Sequence, residues 1–81
     1  MLVDVRTAEE YRNGRIPGSV NVPLAALDRI SSRVENKDVP VFVYCRSGAR
    51  SRQAAAQLRH MGYTNVTNLG GIVAYREKVE R

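Results

Sequence analysis

The chain has 81 residues, 43% hydrophobic and 26% charged, with 13 Lys and Arg against 8 Asp and Glu for a formal charge of +5. That length supports one domain, residues 1–81, burying about 60% of the surface its unfolded chain exposes, and the composition is that of an ordinary globular domain. One cysteine and one histidine exclude an internal disulfide and leave too few soft ligands for zinc, and no apolar run is long enough to span a bilayer.

The first stretch, Leu2 to Val5, reads as a short strand interrupted by Asp4. Met1 leads straight into it, which leaves no room for a signal peptide and makes the cytoplasm the expected location; a lone thiol fits that reducing compartment. T-A-E-E then matches a capping box, with Thr7 as N-cap and Glu10 reaching back from the third helical position. The short helix carries Tyr11 and stops at Asn13-Gly14. Pro17-Gly18 marks a turn, and S-V-N-V a second brief strand. After Pro23, the residues Leu24, Leu27, Ile30 and Val34 recur at spacings of three and four, which predicts a helix with one face on the sheet. E-N-K-D is a polar connection to the next strand.

Val41 to Ser51, V-F-V-Y-C-R-S-G-A-R-S, is the stretch around which the chain is organised. Strand-forming residues run into Cys45, a short loop holds Gly48, and Ser51 opens a helix whose Ala54, Ala55, Leu58 and Met61 face the sheet. A strand, tight loop and helix start in that order build an anion site from loop N–H groups and the helix dipole. A thiol placed there ionises more readily than a free cysteine, whose pKa is about 8.5, and Arg46 and Arg50 are expected to push the same way. The other reading is a buried structural cysteine, which would not call for two arginines and a glycine within five residues. Gly62 ends this helix, T-N-V-T-N-L is a last strand, and Gly70-Gly71 precede a run with Ile72, Val73 and Tyr75. Short strands alternating with helices predict an α/β fold, a small, mainly parallel sheet flanked by helices. Ligands of such sheets bind beyond the carboxyl ends of the strands, where Cys45, Arg6 and Thr7 all fall.

The basic residues are spread along the chain without interleaved aromatics, except for Arg46, Arg50 and Arg52 beside the cysteine. Small anions or acidic proteins therefore fit as partners, and nucleic acid does not. Asp4 is expected to satisfy nearby backbone or pair with an arginine, with Arg50 a candidate; Arg50 then either shapes the loop or binds substrate directly, and Arg46 is the better placed of the two to meet substrate. His60 suits the last turn of its helix. The tyrosines read as core or rim residues, and Ser47 and Ser51 as hydrogen-bonders at the loop and helix start.

Five segments stand in order over nearly the whole chain: L-V-D-V-R-x-x-x-E-Y, G-R-I-P-G-S-V-N-V-P-L, V-Y-C-R-S-G-A-R-S, L-x-x-M-G-Y and N-L-G-G. Together they resemble the rhodanese domain family. The resemblance implies a sulfurtransferase without cofactor or metal, in which Cys45 carries sulfur as a persulfide. It makes Arg46, Ser47, Gly48, Ala49 and Arg50 the loop whose N–H groups surround the outer sulfur. Basic residues in this loop point to thiosulfate as donor, with cyanide, a thiol or a protein as acceptor. Arg15 replaces the family's usual histidine and Tyr75 its usual tryptophan, and the short flanks imply a minimal domain or one cut from a longer chain. Two alternatives within the resemblance stay open: a persulfide relay domain serving a protein partner, and a non-catalytic binding module. A C-x5-R phosphatase or arsenate reductase would need one more residue between Cys45 and Arg50. A redox-sensing thiol would need an external resolving thiol.

Overall fold

The computed structural model describes residues 1–72, so the expectations for Val73 and Tyr75 lie outside the described residues. Its frame is a run of strands too short to stand alone, each held by the turn or helix beyond it. Strand β1, Leu2–Asp4, ends where Thr7 caps helix α1, Ala8–Arg12. The capping box forms as the sequence predicts. Glu10 N donates to Thr7 Oγ1 at 3.2 Å, and Thr7 N donates to Glu10 Oε1 at 3.2 Å. A five-residue helix is too short to persist on its own, and these reciprocal bonds satisfy the donors its first turn leaves open. Strand β2 is Val20–Asn21, reached through the turn at Pro17-Gly18, where Gly18 has φ +82° and Ser19 N donates to Ile16 O.

The stretch Leu24–Ser32 is the expected helix, wound more tightly than an α-helix. It is a 3-10 helix interrupted at Ala26, whose φ of −121° and ψ of 24° are not helical. Leu24, Leu27 and Ile30 lie three apart, the repeat at which 3-10 side chains eclipse one another, so the same apolar residues line one face with fewer residues per turn. The expectation that this face packs on the sheet is met, because Leu27 and Ile30 are fully buried.

Strand β3, Val41–Cys45, helix α2, Ala49–His60, and strand β4, Val66–Gly71, complete the described fold. The sheet is entirely parallel, in the order β2-β1-β3-β4. Val3 aligns with Val43 and Asp4 with Tyr44, which puts Cys45 one residue beyond the end of β1. Between β3 and β4 the register slips: Val43 faces Asn68, but Tyr44 faces Gly70 and Cys45 faces Gly71. Leu69 is thus the extra residue of a bulge, which re-aims the end of β4 toward the cysteine.

One face of the sheet is apolar. Val3, Val5, Val41, Val43 and Cys45 pack with Leu27, Ile30, Ala54, Ala55, Leu58 and Tyr63 in a single buried cluster. The alanines let α2 lie close, as their size suggests, and Tyr63 uses its hydroxyl on Val34 O at 2.6 Å. The other face carries a buried polar network. Asp4 takes three side-chain hydrogen bonds from Arg6, at 3.0, 3.0 and 2.6 Å, and a fourth from Arg6 N. The Arg6 guanidinium also reaches Gly14 O at 2.6 Å, and Tyr44 Oη meets Ser19 Oγ and Ile16 N. The apolar cluster and the polar network meet at the carboxyl ends of β1 and β3, where Asp4 and Cys45 stand on neighbouring strands. No helix among the described residues is long and apolar enough to cross a membrane.

Candidate active site

Cys45 is the last residue of β3 and has no exposed surface. The chain leaves it through Arg46 and Ser47, turns at Gly48 with φ +102°, and enters α2 at Ala49, two residues before the predicted start at Ser51. Only glycine holds that backbone conformation without strain. Gly48 is also the N-cap of α2, yet it has no side chain with which to cap the helix. The sulfur takes that place. Gly48 N donates to Cys45 Sγ at 2.9 Å, and the Ser51 N–H, at the third helical position where a capping side chain normally binds, also serves the sulfur.

Ser51 is fully buried and touches the sulfur with its side chain as well, Oγ lying 3.5 Å from Sγ. The same hydroxyl lies 3.1 Å from Gly48 O and 3.4 Å from Gly70 O. Burial alone would push the Cys45 thiol up. The Ser51 hydroxyl and the N–H groups of Ser51, Gly48 and Ser47 outweigh burial and bring it below the value of an ordinary thiol. A charge-assisted hydrogen bond contributes about 1.5–3 kcal/mol, an exposed ion pair about 0–1. The lowering therefore comes chiefly from the loop's own donors, as the strand-loop-helix pattern suggests, and not from the arginines expected to assist them.

The arginines do other work. Arg50 does not reach Asp4, which Arg6 already holds from two residues away. It turns to Glu10, with Nη1 on Oε1 at 2.7 Å and Nη2 on Oε2 at 2.9 Å. Glu10 is fixed in turn by Thr7, so the capping box of α1 anchors the start of α2 across 40 positions of sequence. The Arg50 hydrogen bonds, working against burial, take the Glu10 carboxyl from an ordinary 4.5 to about 2. Arg46 is exposed at the loop tip and makes no ion pair among the described residues. Ser47 and Ala49 are exposed beside it.

Gly70 and Gly71 close the loop from behind. They are the end of β4 and not a free turn, and a Cβ on Gly71 would stand 2.5 Å from Arg46 O and 3.0 Å from the Ser47 Cα. Only a residue without a side chain fits against this backbone. A cleft of roughly 300 Å³ opens next to the loop, lined by Val5, Thr7, Pro23, Leu24, Ala25 and Arg50.

The structure thus brings Cys45, Ser47 and Gly48 together with Ser51 around one sulfur, leaves Arg46 and Ala49 at the rim, and ties Arg50 to Glu10. Sequence reasoning gave Glu10 its capping role but missed its bond to Arg50, and it gave Ser51 the helix start but not the sulfur. No residue pattern announces that second contact, because the loop must fold back before Ser51 meets a sulfur six positions earlier in the chain.

Residues 1–78 match the family model described as "Rhodanese-like domain". The chain is 42% identical over 71 residues to the thiosulfate sulfurtransferase PspE of Escherichia coli (strain K12), covering 86% of this chain and 68% of that protein. It is 46% identical over 76 residues to a sulfurtransferase of Allochromatium vinosum, covering 93% of this chain and 70% of that one. Among solved structures, a rhodanese with anions from E. coli superposes with a TM-score of 0.85 at 41% identity, over 89% of this chain and 86% of the other.

Proposed function

The chain belongs to the rhodanese-like domain family, and on that premise we propose that it is a sulfurtransferase moving the outer sulfur of thiosulfate to a nucleophilic acceptor through a persulfide on Cys45. The observation that carries this reading is the sulfur of Cys45 sitting where a helix cap belongs, with Gly48 N at 2.9 Å and, among the described residues, no cationic side chain bonded to it. Such a site holds a negative sulfur by fixed dipoles, ready before the reaction starts.

In the first half-reaction the Cys45 thiolate attacks the outer sulfur of thiosulfate. The S–S bond of the donor breaks and its electron pair leaves with sulfite, giving a persulfide. In the second, the acceptor attacks the outer sulfur and the electron pair of the Sγ–S bond returns to Cys45. With cyanide the product is thiocyanate. Charge balances in each step, so neither an outside oxidant nor a general base is required, and ping-pong kinetics are expected. Arg46, exposed at the rim, draws the dianion in. Ser47, Gly48 and Ala49 supply the backbone around the outer sulfur, and Arg50 braces that backbone through Glu10.

Phosphatase chemistry fits less well. It needs a guanidinium free to grip a tetrahedral anion, and Arg50 spends Nη1 and Nη2 on Glu10. The acceptor in the cell is either a small thiol or a protein thiol; a relay to a protein would show as persulfide that cyanide removes slowly. A reducing cytoplasm suits the lone thiol.

The test is thiosulfate-to-cyanide transfer scored as thiocyanate, with Cys45→Ala beside the unaltered protein and intact mass read after thiosulfate alone. One added sulfur atom and turnover that disappears in Cys45→Ala are the expected results. A folded protein that gains no sulfur from thiosulfate would remove this donor from the reading.

A further inference from the structure

The geometry around Ser51 points to a second side chain in the reaction. We propose that the Ser51 hydroxyl acts on Cys45 as a catalytic switch, turning its single hydrogen onto the sulfur whenever the thiolate forms and away from it while the persulfide is intact. This rests on the sulfurtransferase reading for its second half, and on geometry alone for its first.

Ser51 Oγ has three neighbours and one hydrogen: Cys45 Sγ at 3.5 Å, Gly48 O at 3.1 Å and Gly70 O at 3.4 Å. As a neutral thiol, Cys45 donates to Ser51 Oγ, and the hydroxyl hydrogen points at Gly48 O. As a thiolate, Cys45 has nothing to donate and a full charge to accept, so the hydroxyl rotates and donates to Sγ. The rotation leaves no orphan behind, because Gly48 O already accepts from Arg52 N at 3.0 Å. Ser51 is sealed from solvent, so no water competes for the hydrogen in either position. Among the described residues, no other side-chain group hydrogen-bonds to the sulfur.

The consequence falls unequally on the two half-reactions. When the acceptor takes the outer sulfur, the Sγ–S bond breaks and both electrons return to Sγ. Charge appears on the buried atom that Ser51 faces, and the turning hydroxyl stabilises it as the leaving group; no proton is transferred. In the first half-reaction the same bond stabilises the thiolate before attack, raising the fraction ionised while dulling it as a nucleophile, so the two effects partly cancel. Removing the hydroxyl therefore slows sulfur discharge more than sulfur loading.

The experiment compares Ser51→Ala with the unaltered protein in two readings. The first is the pH dependence of Cys45 alkylation by iodoacetamide, which needs no sulfur transfer. The midpoint is expected to rise by about one pH unit, a tenfold loss of thiolate at a given pH, as for one bond to a charged group. The second is single-turnover kinetics, loading with thiosulfate and then discharging to cyanide. Discharge is expected to fall at least tenfold while loading changes by less than threefold, so that the persulfide accumulates at steady state. Ser51→Thr, which keeps the hydroxyl, is expected to recover most of both effects. Ser51→Val, equal in size to threonine and lacking the hydroxyl, is expected to behave as alanine does, and this pair carries the contrast should the alanine variant lose its fold. An unshifted alkylation midpoint, or equal slowing of loading and discharge, overturns the proposal. If the unaltered protein takes no sulfur from thiosulfate, that donor is removed from the sulfurtransferase reading, and the alkylation profile still decides whether Ser51 governs the thiol.

Discussion

Asp4 and Cys45 lie at the ends of neighbouring strands, one register position apart, and neither has exposed surface. Each carries a side chain capable of negative charge, and the fold surrounds the two in opposite ways. Asp4 has a guanidinium locked onto it from its own chain two residues on, backed by Gly14 O. Its charge is cancelled for good, and it braces the turn from β1 into α1. Cys45 has no cation bonded to it among the described residues. It has N–H groups and one hydroxyl, which favour the anion without pairing it off. A permanent counter-ion makes a charge structural. Oriented dipoles leave it available to react, since a thiolate held too tightly loses nucleophilicity.

Cutting the first centre should do the most damage. Asp4→Ala leaves the Arg6 guanidinium, only 6% exposed, without its partner, and is expected to cost about 3–5 kcal/mol. A domain of this size has about 4–12 kcal/mol in all, so urea denaturation should show the variant barely folded and its activity lost with the fold. Gly71→Ala strikes the second centre instead. Its new methyl group would meet loop backbone that has nowhere to go, so sulfur transfer should drop about 100-fold, with stability falling about 1–3 kcal/mol in the same urea titration. Loss of rate in excess of loss of stability would separate the reactive centre from the structural one.

Arg46→Gln probes the rim alone. KM for thiosulfate should rise about three- to tenfold and lose much of its salt dependence, while urea midpoints stay within about 0.5 kcal/mol of the unaltered protein. The smallest effect belongs to Glu10. Its folded pKa of about 2 lies below the ordinary 4.5, so the stability it contributes is complete above pH 4.5 and disappears as pH falls toward 2. In Glu10→Gln this part of the acid limb should flatten, by less than about 1 kcal/mol, because the pair with Arg50 is partly exposed. Thermal unfolding between pH 2 and 5 would measure it.

Neighbours in the chain decide what could be read from the sequence. Thr7 and Glu10 are three apart, Cys45 and Gly48 are three apart, and both motifs form as read. The parallel sheet was legible in the alternation of short apolar runs with helical ones. The partner of Arg50 was not, because Glu10 lies 40 positions away and Asp4 offered an equally good carboxylate. Choosing between them needs the position of α1 over the loop, which only the assembled fold provides. The helix at Leu24–Ser32 was legible and its 3-10 winding was not, because Leu24, Leu27 and Ile30 fit a three-residue repeat as well as the early part of an α-helical one. The bulge at Leu69 gave no local sign, since the slip depends on β3 as much as on β4.

The back wall of the reactive loop is the last described strand. Gly71 presses on Arg46 O, and Gly70 O stands behind Ser51 Oγ, while Glu10 reaches the loop from the opposite end of the chain. As the chain emerges during synthesis, Cys45 exists well before β4 does. Until that strand docks, the loop lacks the wall formed by Gly70 and Gly71, and the thiol is expected to behave as an ordinary, weakly ionised cysteine. Alkylation of stalled nascent chains would be slow at Cys45 until residues 66–71 clear the ribosome.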